Sequence, residues 1–267
     1  MKLLTFVTRF REGDSTKDKL VILAHNILYL ALYPINHLSF VLLKRNIAHP
    51  KIIFKKFTVK NSDGLFICRD NVDHDVISES FEAGIRKYFK GVQKGVFVDV
   101  GSNIGKYTVM IGNQLNGKGK VISIEPHPQN FEVLQKNIEL NNCKNVTSLN
   151  IACWNKKNEL KLYNHEDQPL LASAVKKSRK YITVKADTLD SILKNLKIGD
   201  IDMVKIDVEG AESEVLKGMD LILGNKKPKV IFEAWDDEHL EACKKILETY
   251  GYRVEHLDKM YWIGYHK

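Results

Sequence analysis

The chain has 267 residues, 44% of them hydrophobic and 28% charged. That balance is ordinary for a globular protein, argues against disorder and allows one large α/β domain with a modest extra element. The net charge is +8, with 41 Lys and Arg spread along the sequence. Such a surface draws phosphate on nucleic acid, anionic lipid or a phosphorylated carrier, and serves equally as a plain solvated surface.

Residues 20–43 carry no formal charge, with Lys17 and Lys19 before them and Lys44 and Arg45 after. That length suffices to span a bilayer, which takes roughly 20 apolar residues. His25, Asn26, Asn36 and His37 interrupt the run, and Pro34 is expected to kink or break a helix there. In a helix that continued past Pro34, His25, Tyr29 and Asn36 would share a face, the mark of an amphipathic element. A membrane-surface anchor, a helix packed on the core and a dimer contact all fit. A cleaved signal peptide does not, because the apolar run starts late and no small-residue cleavage site follows.

Residues 54–59 and 65–69 read as strands joined by the turn Asn61-Ser62-Asp63-Gly64. Residues 76–89 read as a helix with Ile77, Phe81, Ile85 and Phe89 on one apolar face. Strands at 96–100, 121–125, 146–152, 203–207 and 229–234 then alternate with helices at 105–115, 128–141, 188–195, 212–223 and 238–250. Two closing strands, 253–257 and 261–265, are linked through Asp258 and Lys259. This pattern predicts a doubly wound, Rossmann-like α/β sheet with an antiparallel last strand. The chain divides on this reading into an apolar helical extension (1–50), a hairpin and helix antechamber (51–94) and a main domain (95–267). Four cysteines, Cys68, Cys143, Cys153 and Cys243, form no CxxC pair and no zinc-spaced cluster. Free buried thiols in a reducing cytoplasm, with no metal, are the expectation.

The strongest local signal is Val96-Phe97-Val98-Asp99-Val100-Gly101-Ser102-Asn103-Ile104-Gly105. A buried strand leads through a glycine turn into a helix N-terminus, where open α/β sheets bind ligands. Gly101 permits close backbone approach to a ligand, and Gly105 lets the helix pack near the sheet. Asn103 stands where a dinucleotide fingerprint has its second glycine. Asp99 would repel a pyrophosphate and favour the cationic sulfonium and amino group of S-adenosylmethionine. Glu125, 20 positions after Gly105, ends the next strand, where a carboxylate accepts from ribose hydroxyls. Asn130 and Phe131 lie where an adenine edge would rest, and Asn150-Ile151-Ala152 ends a third strand where a backbone group would meet the base. The expected donor set also takes in Tyr107, Thr108 and Pro126.

The most distinctive string is Lys205-Ile206-Asp207-Val208-Glu209-Gly210-Ala211-Glu212. Alternation puts Lys205 and Asp207 on one strand face, and three carboxylates gather where the strand turns into a helix. Burying them is costly unless they are paired or used; capping of the helix by Glu209 or Glu212 is the plainer reading.

Together with Glu125-Pro126, Asn150–Ala152, Asp187-Thr188-Leu189-Asp190 and the acidic strand end Glu233, these motifs resemble the FkbM-type methyltransferases over about residues 54–234. The resemblance implies a class I methyltransferase fold and O-methylation of sugars, glycans or other hydroxyl compounds. By position it makes Asp99, Gly101, Asn103, Gly105 and Glu125 donor-binding and sets Asp207 and Glu209 against the methyl. An alcohol acceptor must lose a proton, so Asp207 or Glu209 is expected to accept it while Lys205 pairs with them, and Glu233 to bind an acceptor hydroxyl. The polar stretch 164–180, with His165, is expected to carry acceptor recognition. An RNA methyltransferase and a non-catalytic membrane-associated scaffold are the rivals. The sequence lacks an Asn/Asp-Pro-Pro-Tyr motif and an RNA-binding module, so nucleic acid is disfavoured. The expected protein is cytoplasmic, with residues 20–43 left open between a membrane surface contact, the core and a partner chain.

Overall fold

The computed structural model describes residues 9–43, 56–164, 172–175 and 179–266. The chain forms two compact units, Met1–Phe81 and Glu82–Lys267.

In the first unit, a 3-10 turn at Arg9–Glu12 precedes helix α1, Thr16–Leu43. Asp18 anchors the start of α1, its carboxylate accepting from the Ser15 amide at 3.2 Å and the Thr58 amide at 2.9 Å. Pro34 lies inside α1 and does not end it. The lost bond and ring clash cost about 3 kcal/mol, a local penalty carried by the backbone bonds on either side. A hairpin follows, β1 at Phe57–Lys60 and β2 at Leu65–Cys68, paired antiparallel. Its turn is built by the Asn61 side chain, which accepts from the amides of Asp63 (2.9 Å) and Gly64 (3.2 Å). Asp70 caps the short helix α2, Asn71–Ile77.

The helix expected over 76–89 is two helices. The first ends at Ile77, and α3, Ala83–Phe89, belongs to the second unit. Ser78 takes an extended conformation and its hydroxyl meets that of Ser80 at 2.8 Å, the competition by short polar side chains that unwinds helices. Phe81 is consequently exposed, whereas Ile77, Ile85 and Phe89 are buried.

The second unit continues with β3 (Gly95–Val100), α4 (Lys106–Leu115), β4 (Gly119–Ile124), α5 (Pro128–Leu140) and β5 (Val146–Leu149). Next come β6 (Ala152–Cys153), β7 (Asn158–Asn164), β8 (Ala172–Ser173) and β9 (Tyr181–Asp187), then α6 (Leu189–Asn195), β10 (Met203–Ile206) and α7 (Glu212–Lys217). The last elements are β11 (Lys229–Glu233), α8 (Asp237–Thr249), β12 (Tyr252–Asp258) and β13 (Tyr261–His266). Seven strands form one sheet in the order β12-β13-β11-β10-β3-β4-β5. Only β13 is reversed, antiparallel to both neighbours, as the short Asp258-Lys259 link requires.

Alternation along the strands separates two apolar layers. Val98, Val100, Ile122, Ile124, Val204, Ile206 and Phe232 pack with Leu189, Leu193, Val215, Leu216 and Leu247, from α6, α7 and α8. Phe97, Val121, Met203, Ile231 and Ile263 point the other way, onto Ile85 and Phe89 of α3 and Met110 and Ile111 of α4. Each such side chain contributes roughly 1.5–3 kcal/mol through burial.

Three expectations need correction here. The strand expected at 146–152 splits, because the Asn150 side chain donates to the carbonyls of Glu125 (2.8 Å) and Pro126 (3.0 Å) and turns the chain. Residues 153–187, given no strand in the sequence reading, contribute to a second sheet, β6-β9-β7-β8, over the small cluster of Ala152, Leu162, Val184 and Ala186. The helix expected at 212–223 stops at Lys217, and a π-turn, Ile222–Lys226, follows. All four cysteines are free and buried.

Candidate active site

The chain order runs outward from β3 to β5 on one side and from β10 to β11 on the other. The carboxyl ends of β3 and β10 therefore flank the topological switch point, where ligands of doubly wound sheets bind. Both motifs singled out in the sequence end there, and the register sets Asp99 beside Lys205.

The turn after β3 needs three left-handed residues, Gly101, Asn103 and Gly105, with φ of 81°, 50° and 93°. The place a Cβ would take at Gly101 is filled by the carbonyl oxygen of Asp207, so this glycine lets the two strand ends meet. At Gly105 a Cβ would lie 2.7 Å from Leu134 of α5. The loop is locked by hydroxyls: Ser102 donates to the Asp99 carbonyl at 2.8 Å, and Thr108 to Asp99 Oδ2 at 2.6 Å. Ser123 joins Ser102 at 2.7 Å.

Glu125 faces this turn across the sheet. Its carboxylate accepts from the amides of Asn103 at 2.8 Å and His127 at 2.9 Å, and from the Asn130 side chain at 3.4 Å. Burial nonetheless pushes its pKa up to about 7. Asp99, 1% exposed, is raised by burial as well, while Lys205 and Thr108 pull it down. Asp99 Oδ1 and Asn103 Oδ1 are buried acceptors without a hydrogen-bond donor among the described residues. A ligand bringing an ammonium, ribose hydroxyls and an adenine amine supplies the donors such atoms lack; a pyrophosphate brings only more acceptors. The residues present fit S-adenosylmethionine.

At the end of β10, Lys205 Nζ donates to Asp207 Oδ2 at 2.8 Å and lies 5.2 Å from the centre of the Tyr107 ring. Burial alone would lower the Lys205 ammonium, but Asp207, Asp99 and Glu82 outweigh it and hold it above its ordinary range. Glu209 turns the chain in the left-handed region, φ 59°, and its carbonyl accepts from Ser173 at 2.8 Å. Glu212 is fully buried and accepts from the Val208 amide at 2.9 Å, while His239 Nε2 lies 2.8 Å from its other oxygen. Glu212 thus shapes the turn.

Carboxylate oxygens of Asp207, Glu212 and Glu233 lie within 4.8 Å of one another. Burial, together with Asp207, Glu209 and Glu212, pushes Glu233 up to about 9, so it keeps its proton at neutral pH. Three acids so placed assign no metal by themselves.

Two residues absent from the sequence reading, Tyr261 and Glu82, complete the corner. Tyr261, paired with Glu233 across the reversed strand, has its hydroxyl 2.6 Å from Glu82 Oε1 and 2.9 Å from Asp207 Oδ2. Tyr107 donates to Glu82 Oε2 at 2.7 Å. Burial and the surrounding carboxylates raise both phenols. The one available signal was topological: a reversed β13 returns its first residue to the carboxyl end of β11.

Among the expected site residues, Asp99, Thr108, Lys205, Asp207, Glu209 and Glu233 gather around this corner, and Gly101, Asn103, Gly105, Glu125 and Pro126 form the adjoining loops. Tyr107 turns its hydroxyl to Glu82, and Ala152 pairs with Ala186 in the second sheet. His165 lies outside the described residues.

Residues 99–254 match the family described as the methyltransferase FkbM domain. The chain is similar to the hexuronic acid methyltransferase AglP of Haloferax volcanii, 28% identical over 167 residues. That match covers 61% of this chain and 64% of the Haloferax protein. It is also similar to methyltransferase sdnD of Sordaria araneosa, 26% identical over 198 residues, with 62% of this chain and 76% of that protein covered. A solved methyltransferase FkbM from Methylobacillus flagellatus is 15% identical with a TM-score of 0.49, covering 98% of this chain and 58% of that one. With its sheet order, its strand-end motifs and more than half its length matched, the chain belongs to the FkbM family of S-adenosylmethionine-dependent methyltransferases.

Proposed function

We propose that the chain methylates a hydroxyl of a sugar, glycan or lipid-linked saccharide, with residues 95–267 as the donor-binding domain. The observation that carries this reading is the buried corner where Asp207 meets Lys205 and Tyr261 beside the Asp99 turn. S-adenosylmethionine, when bound, supplies an electrophilic methyl group. Asp99, Asn103 and Glu125 hold it through their acceptor atoms, with the glycine turn and Ala152 at its edges. The net negative corner suits a cationic ligand and opposes the phosphates of RNA.

Asp207 takes the proton of the acceptor hydroxyl, with Glu209 as the second carboxylate at the same turn. Lys205 orients Asp207 through its hydrogen bond, and Glu233, protonated at neutral pH, donates to an acceptor oxygen. The name of the Haloferax relative supports a sugar acceptor. In this reading the protein is cytoplasmic and touches a membrane surface through residues 20–43, which suits a lipid-linked acceptor.

Transfer of a tritiated methyl group to a panel of uronic acids, neutral glycans, lipid-linked saccharides and RNA tests the acceptor class; label in RNA alone would overturn it. Asp207→Asn and Glu209→Gln each lower turnover by at least about a hundredfold, with donor affinity by calorimetry unchanged. Full activity in both variants would remove the assignment.

A further inference from the structure

Helix α1 turns an apolar half outward. At about 100° per residue, every polar side chain between positions 20 and 42 falls on one half of the helix, where His25, Asn26 and Ser39 are buried and Tyr29, Tyr33 and His37 are exposed. The opposite half holds Leu20, Ile27, Ile35, Leu38, Val41 and Leu42, each between 49% and 69% exposed. Ala24, Ala31 and Pro34 fill the gaps on the same side and are exposed too. The result is an unbroken apolar stripe roughly 33 Å long. Helices of soluble proteins do the reverse, turning the apolar stripe to the core and the polar half to water.

The surroundings decide what meets the stripe. Lys17 and Lys19 stand just before it and Lys44 and Arg45 just after, in a chain of net charge +8. A second copy would bring like charges to the same seam, whereas an anionic lipid surface brings opposite ones. The polar half rules on orientation. Crossing a bilayer takes roughly 20 residues with apolar surface all round. Here Ile22, His25 and Asn26 are buried, and Asp18 ties the start of the helix to the Thr58 amide at 2.9 Å. One half of α1 is an unbroken apolar surface, and the other carries Tyr29, Tyr33 and His37 in the open beside buried His25 and Asn26.

We propose that α1 lies in the plane of an anionic membrane surface, its 20–42 stripe sunk among the acyl chains and its basic ends at the headgroups. This rests on the membrane contact of residues 20–43 proposed above and goes further in orientation and lipid charge. The full-length chain is floated with vesicles of phosphatidylcholine alone and of phosphatidylcholine with about one third phosphatidylglycerol. Expected is flotation on the anionic vesicles, at least about tenfold weaker on the neutral ones, and release by alkaline carbonate. Leu38→Asp combined with Leu42→Asp abolishes flotation, while thermal unfolding is unchanged because both positions are exposed. Failure to float on anionic vesicles would remove the membrane contact itself. Equal flotation on neutral vesicles would refute the lipid-charge requirement, and flotation that survives carbonate would mean a crossing helix and refute the in-plane placement. A dimer by light scattering that the double variant dissociates would hand the stripe to a second copy.

Discussion

Tyr261 has one hydroxyl proton and two carboxylate oxygens within reach of it, Glu82 Oε1 at 2.6 Å and Asp207 Oδ2 at 2.9 Å. It donates to one at a time, and the other contact becomes a hydrogen bond only when that carboxyl carries a proton. The chain Asp207–Tyr261–Glu82 is therefore suited to receive the proton that leaves the acceptor. Tyr261→Phe removes a single oxygen. The expected outcome is a kcat lower by about tenfold or more, with donor Kd within about twofold, read by steady-state kinetics and calorimetry. An equal loss in donor affinity would mean that Tyr261 only supports the binding loop. Asp99 and Asp207 were readable as a pair of acids flanking a strand–turn boundary. Their third partner was not, because Glu82 and Tyr261 are separated by 179 positions and meet only through the sheet.

Strand ends, more than whole strands, position the chemistry. β3 and β10 run side by side, and the glycine after β3 gives its missing side chain's place to the Asp207 carbonyl. Gly101→Ala has to move that carbonyl and hold alanine at φ 81°. A loss of at least about 2 kcal/mol is expected in urea unfolding, with donor binding weakened in parallel; a neutral substitution would show the strand ends to be pliant. The alternating strands and helices of the main sheet were legible because their apolar periods are regular and their turns carry glycine. The second sheet was hidden by charge: Leu160 and Leu162 alternate with Glu159 and Lys161 in β7, a valid period-2 pattern that reads as polar loop when composition alone is weighed. The break between α2 and α3 was missed for a related reason. Ile77, Phe81, Ile85 and Phe89 keep helical spacing straight through Ser78 and Ser80, and periodicity does not register a backbone that side-chain hydroxyls have diverted.

Burial has given this protein carboxyl groups that hold protons at neutral pH, and that makes its stability depend on alkali. Glu125 and Glu233 rise to about 7 and about 9 from an ordinary 4.5. The folded chain binds those protons more tightly than the unfolded one, so their contribution is complete below about pH 4.5 and is lost as pH climbs through 7 and 9. His74, lowered by burial from an ordinary 6.5, acts in the opposite sense, its contribution lost as pH falls below that value. A comparison isolates Glu233: Glu233→Gln mimics the protonated acid, so its melting temperature relative to wild type should rise between pH 6 and 9. A constant offset over that range would show that Glu233 is not the proton holder.

By itself the sequence determined the alternating α/β layout, the glycine turn after Asp99, the acidic string from Lys205 to Glu212 and the uncharged run of 20–43. These are local properties, written in periodicity, turn chemistry and charge spacing within a few residues. Tertiary structure alone decided which carboxyl keeps its proton, which hydroxyl bridges Asp207 to Glu82, and which half of α1 faces outward. Each of those depends on burial and on partners far away in the chain, and burial is a property that only the folded chain possesses.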